Sequence, residues 1–214
     1  MTSSAILLIG DDASALDALT RALMGRQVMV INEFACAPAM LEQAVPSLII
    51  LTDAPQQAAW AQAIRSGAGR CAAMPILACA ATGHAAVPAG CDAILPFPAS
   101  PASIDSHVAA WLPQDDMARA RALAERFGAA QIMPMVDRLR GELETALASL
   151  DRGEDAGHAH RIAGVAGTLG FAAVSESWLI LSEQGGKDAQ KEARRTARIA
   201  IAEISRGTET NDAC

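Results

Sequence analysis

The chain of 214 residues contains no tyrosine, and four Phe and three Trp make up its whole aromatic complement. Its 51% hydrophobic share therefore rests mainly on Ala, Leu, Ile and Val, and is ample for one sizeable domain or two small ones. Positive charge is also short: 17 Lys and Arg face 24 Asp and Glu, for a net charge of −7. Binding along a phosphate backbone needs clustered cations, so no nucleic-acid partner is expected. No apolar run approaches the ~20 residues that span a bilayer, because Thr82, Gly83, His84 and Asp92 interrupt the longest stretches. No membrane partner is expected either. The opening Met-Thr-Ser-Ser carries no basic segment ahead of its short apolar run and does not read as a secretion signal. The five cysteines (Cys36, Cys71, Cys79, Cys91 and Cys214) are odd in number and form no C-x-x-C pair. That argues against a disulfide framework or a zinc site, and for reduced thiols in the cytoplasm.

What is present changes character along the chain. Up to about Leu112, short apolar runs alternate with helical stretches. The runs Ala5–Ile9, Val28–Ile31, Leu48–Leu51, Ile76–Cys79 and Ala93–Leu95 are strand-length and apolar throughout, as parallel strands buried on both faces are. Helices are predicted at Ala13–Met24, Pro38–Gln43, Gln56–Ser66, weakly near Ala85, and from Ser100-Pro101 to about Trp111, with Gly25 and Gly67 as C-caps. Five such units make an α/β domain, a doubly wound five-stranded parallel sheet over residues 1–113. The punctuation at Pro113-Gln114-Asp115-Asp116 ends the alternation, with Asp115 or Asp116 as a helix cap. Beyond it the pattern is helical: Met117–Phe127, Ile132–Leu150, Asp155–Leu169, Ala173–Gln184 and Asp188–Ser205. Met133, Val136, Leu139, Leu143, Leu147 and Leu150 form an apolar stripe, and the breaks between helices are short. Both features predict an all-α up-and-down four-helix bundle over residues 114–207, followed by a disordered tail at 208–214.

The chemically informative segment runs from His158 to Phe171. Wound as a helix, it puts Ala159, Ile162, Ala166 and Leu169 on an apolar face. His160, Ala163, Gly164 and Gly167 form a second stripe that carries one imidazole and little other bulk. Two glycines inside a helix cost about 1 kcal/mol each relative to Ala. They are expected to provide clearance, either for a neighbouring helix or for another molecule approaching His160. The plainest alternative is a tightly packed helix with an ordinary surface histidine. Metal binding through His158 and His160 is disfavoured, because residues two apart on a helix point about 200° apart.

The segment His160-Arg161-Ile162-Ala163-Gly164-Val165-Ala166-Gly167-Thr168-Leu169-Gly170 resembles the signature of histidine-containing phosphotransfer (HPt) domains. In that family the histidine is followed by an apolar residue at +2, usually Lys at +3, Gly at +4 and Leu-Gly at +9 and +10. The resemblance extends over most of Met117–Ser205. It implies that His160 is a phosphoacceptor and that Arg161, Ala163, Gly164 and Gly167 belong to a partner-docking surface. Ala163 stands where the family has its Lys, and Arg161 lies nearby on a different face. A neutral imidazole would attack the acyl phosphate of a partner's aspartate without a dedicated base. Mg²⁺ would be supplied at the partner receiver, with no cofactor or metal held by this chain. There is no ATP-binding signature, and only 54 residues follow His160, so kinase activity from ATP is not expected.

The first half resembles a response-regulator receiver domain over roughly Ser4–Leu112, with its active site removed. Where that family places an acidic pair after the first strand, this chain has Gly10 and Asp11. Thr52 stands at the phosphoacceptor position, Ala80 at the hydroxyl position after the fourth strand, and Phe97 at the Lys of a Lys-Pro pair. Thr52 cannot form an acyl phosphate and Phe97 brings no charge; a one-residue slip would nominate Asp53. Asp11 and Asp12 are expected as surface or helix-capping residues, and Pro98 as a site for a cis peptide. Together the resemblances imply a phosphorelay intermediate whose His160 takes a phosphoryl group from one receiver domain and passes it to another. Its partners would be receiver domains of response regulators or hybrid histidine kinases, with a homodimer formed through the first half as a further expectation. The competing expectation is a phosphate-independent adaptor that only binds such partners.

Overall fold

The computed structural model describes residues 5–34, 46–52, 55–67, 70–81, 86–154 and 157–209. The segment Pro38–Gln43, Ala85, Asp53, Cys36 and Cys214 lie outside these residues. The chain divides into two compact units, Met1–Leu112 and Pro113–Cys214.

Five strands, β1 (Ala5–Ile9), β2 (Gln27–Ile31), β3 (Leu48–Leu51), β4 (Ile76–Ala80) and β5 (Ala93–Pro96), form an all-parallel sheet in the order β2-β1-β3-β4-β5. Among the described residues three helices accompany them: α1 (Ala13–Ala22), α2 (Gln57–Ser66) and α3 (Pro101–Ala109), with a 3-10 turn at Arg70–Ala73. The central strands β1, β3 and β4 are apolar because both faces are covered, whereas the edge strand β2 starts at the exposed Gln27 and leaves Val30 44% exposed, so two-sided burial does not hold there. Ile6, Leu8, Leu48, Ile50, Leu77, Cys79 and Leu95 pack with Leu16 and Leu19 of α1 and Ile104 and Val108 of α3. The pleat sends Leu7, Ile9, Ile49, Leu51 and Ala78 to the opposite face, where they are also buried.

Local capping explains the boundaries. The Asp12 carboxylate accepts from the Ser14 and Ala15 amides at 2.9 and 3.1 Å and starts α1. Ser100 does the same for α3 with Pro101 at its first position. Gly25 turns the chain after α1 at φ +95°. Gly67 ends α2 in extended backbone, not in the left-handed form of the common glycine cap. An ion pair then ties the far end of the sheet. The Arg65 guanidinium meets Asp92 at 2.6 Å and donates to the Ala72 and Met74 carbonyls, while Asp92 accepts the Ile76 amide at 2.8 Å.

Among the described residues of the second unit there are only helices: α4 (Asp116–Phe127), α5 (Ala129–Asp151), α6 (Ala159–Leu169), α7 (Ala172–Gln184) and α8 (Lys187–Glu209). Helix α5 packs against α4, α6 and α8, and α7 packs against α6 and α8. Val136, Leu139, Leu143, Leu147 and Leu150 are buried, and Ile132 takes the inward place expected of Met133. Trp178 is fully buried and its indole N–H donates to the Ala193 carbonyl at 3.1 Å. Two expectations fail here. Asp115 is left-handed at φ +64° and neither it nor Asp116 caps α4 through its side chain; Glu203 of α8 does, accepting the Met117 amide at 2.7 Å. The helix predicted to stop at Ser205 continues to Glu209, so Thr208 and Glu209 are helical. No helix of the described residues is long and apolar enough to cross a membrane.

Candidate functional site

The first turn of α6 carries His160, and the burial pattern around it defines a site. Each residue advances about 100° around the helix. Ala159, Ile162, Ala166 and Leu169 are buried, as the apolar stripe predicts. His160, Arg161, Gly164, Gly167 and Thr168 are exposed and occupy one continuous arc. Ala163 is a correction: at 3% exposure it belongs to the buried face and cannot line a docking surface. It borders Ala159 on the wheel and is covered with it.

The two glycines of the arc differ in what surrounds them. A Cβ on Gly167 would come within 2.9 Å of the Ser175 hydroxyl, so this glycine admits α7. A Cβ on Gly164 would meet nothing within 4 Å. Among the described residues no contact requires Gly164, which sits one turn beyond His160. Gly170 closes the helix at φ +92°, where a Cβ would approach the Arg119 side chain to 2.7 Å.

Arg161 borders the arc on the side of α5. Its guanidinium lies 3.6 Å from Glu142 Oε1, and the Arg138 Nε donates to the same oxygen at 3.1 Å. Glu142 Oε2 is buried without a hydrogen-bond partner among the described residues. These groups line a groove of about 550 Å³ with Thr145, Ser149 and His158. Among the described residues no three His, Cys, Asp or Glu side chains converge as a metal site would require.

The other constellation lies at the carboxyl ends of the strands, where open α/β sheets hold ligands at the point of reversal of strand order. Gly10 is buried and its amide donates to the Ile31 carbonyl at 3.1 Å. Thr52 donates to the Ile9 carbonyl through its amide at 3.0 Å, with its hydroxyl 3.4 Å from the same oxygen. Asp11 is exposed beside the capping Asp12, Ala80 ends β4, and Phe97 is half-buried ahead of Pro98 across a cis peptide.

Sequence reasoning missed Gln57. It is 1% exposed, and its amide nitrogen donates to the Leu51 carbonyl at 3.1 Å and the Cys79 carbonyl at 2.7 Å. One neutral side chain thus bridges the ends of β3 and β4. Nothing local marks it, since a Gln in the first turn of an amphipathic helix reads as surface. Burial pushes the Cys79 thiol up to about 12 and, with Asp92 adding to it, the Cys91 thiol up to about 11, so neither is a nucleophile at neutral pH. No protein-family model and no curated protein matches this chain.

Proposed function

We propose that this chain is a phosphorelay intermediate that accepts a phosphoryl group on His160 from a phospho-aspartyl receiver domain and passes it to another. The observation that carries this reading is the exposed His160 beside Gly164, a helical glycine that no contact among the described residues calls for. A glycine there costs helix stability of about 1 kcal/mol relative to Ala. Bare helix next to an imidazole lets a second protein close over the ring, which is what transfer by positioning requires. In this reading α5, α6, α7 and α8 form a four-helix bundle of the HPt type. Each packs on the next and α8 returns to α5, with α4 as an added helix.

The sheet-bearing unit fits a receiver-like domain that does not itself take phosphate. No carboxylate stands at Thr52, and the strand ends beside it are bridged by Gln57. Its proposed role is contact with partners or regulation, including self-association. Mg²⁺ for the transfer belongs to the partner's site, since phosphoryl transfer needs charge neutralisation that His160 alone lacks.

The deciding experiment incubates the full chain with phosphorylated receiver domains and Mg²⁺, with His160→Gln in parallel. Acid-labile, alkali-stable label on the wild type and none on the variant is the expected result. Receivers that bind without labelling His160 would establish the phosphate-independent adaptor instead.

A further inference from the structure

A phosphoryl group on His160 would bring close to two negative charges to the arc of α6, and the cations within reach are few. Helix α6 (Ala159–Leu169) and helix α7 (Ala172–Gln184) contain a single Lys or Arg between them, Arg161. Helix α7 adds Glu176 and Glu183. Arg119 packs at Gly170, ten residues along from His160 and about 15 Å away by helical rise. Arg161 is the next residue to His160 and half its side chain is exposed (52%).

What holds Arg161 is weak. Its guanidinium is 3.6 Å from Glu142 Oε1, a distance at which a part-exposed pair contributes little. The same oxygen already accepts the Arg138 Nε at 3.1 Å, one turn away on α5. If Arg161 leaves, Glu142 keeps Arg138 and is not stranded as an uncompensated charge. The groove beside them, about 550 Å³, leaves the Arg161 side chain room to swing.

We propose that Arg161 is a phosphoryl-binding residue held in reserve by Glu142. When negative charge builds on the phosphoryl group at His160, Arg161 exchanges the shared carboxylate for the phosphoryl oxygens, and Arg138 keeps Glu142 neutralised. The proposal rests on the phosphotransfer reading above. No bond forms or breaks in the exchange. In the transfer itself His160 forms an N–P bond as the donor's bond to phosphorus breaks, and Arg161 only screens the charge.

The test uses the full chain with phosphoramidate, a small donor that phosphorylates histidine with release of ammonia, and so needs no partner protein. Arg161→Ala is expected to slow labelling of His160 about five- to tenfold, and Arg161→Lys to recover most of the rate. Glu142→Gln, which frees Arg161, is expected to speed it about twofold or more, and Arg138→Ala, which leaves Arg161 as the carboxylate's only partner among the described residues, to slow it. Added salt should slow the wild type and leave Arg161→Ala nearly unchanged, a difference that a merely structural role would not produce. Equal labelling of wild type, Arg161→Ala and Glu142→Gln would overturn the proposal while leaving His160 as the acceptor. Absence of label on the wild type, from phosphoramidate and from every phosphorylated receiver, would overturn the phosphotransfer reading itself.

Discussion

Gly164 and Gly167 look alike in the sequence and are opposites in space. Replacing Gly164 by Ala adds a methyl to empty surroundings and removes the entropic penalty of glycine, so the variant should be more stable to urea by about 0.5–1 kcal/mol. The same variant should bind or label less well in the receiver assay, because the added methyl stands one turn from His160. Gly170→Ala should do the reverse, destabilising by more than about 1 kcal/mol, since its φ is +92° and Arg119 occupies the space. Paired urea curves and labelling rates for the two variants check both statements. The exposed histidine and its glycines were legible from helical period alone. That Ala163 is buried was not, because its angle lies at the edge of the stripe and only the packing decides which side of that edge is covered.

At the scale of elements, the strands were the most legible part, because continuous runs such as Leu48–Leu51 are apolar on both faces only where both faces are covered. The start of α4 was not legible, since Glu203 caps it from 86 residues away in place of the neighbouring Asp115 and Asp116. That arrangement has a cost in pH dependence. Burial, with Asp116 and Asp115 nearby, raises the Glu203 carboxyl above its ordinary range, while the Met117 amide and Arg206 pull it down. A carboxyl raised on folding stabilises the fold in its protonated form, and that contribution is lost as pH rises through the raised value. Burial likewise raises Asp116 above its ordinary range, in the same direction. Glu203→Gln should therefore be more stable than the wild type at pH 8, with the difference shrinking as pH falls towards 5. Thermal unfolding of both proteins across that range measures it, and a difference that grows on acidification would refute it.

Across the whole molecule, the two units have separate cores of contrasting construction. One is a sheet whose buried residues are mainly leucine and isoleucine, and the other is a set of helices in which buried alanines let leucine, isoleucine and the large rings of Phe171 and Trp178 pack closely. Leu143→Ala in the second should cost about 2–5 kcal/mol, because Leu143 is fully buried. Hydrogen exchange should show the loss of protection in α5 and its neighbours α4, α6 and α8. Two contrasting periods in one chain make the division visible in the sequence. Gln57 was invisible because its partners, Leu51 and Cys79, are brought to it only by the sheet. A primary amide neither gains nor loses a proton over the range in which cells live, carries no charge for a metal ion to answer, and offers phosphate no point of attachment. The two hydrogen bonds by which it joins the ends of β3 and β4 are therefore independent of pH in that range and need neither metal nor phosphate.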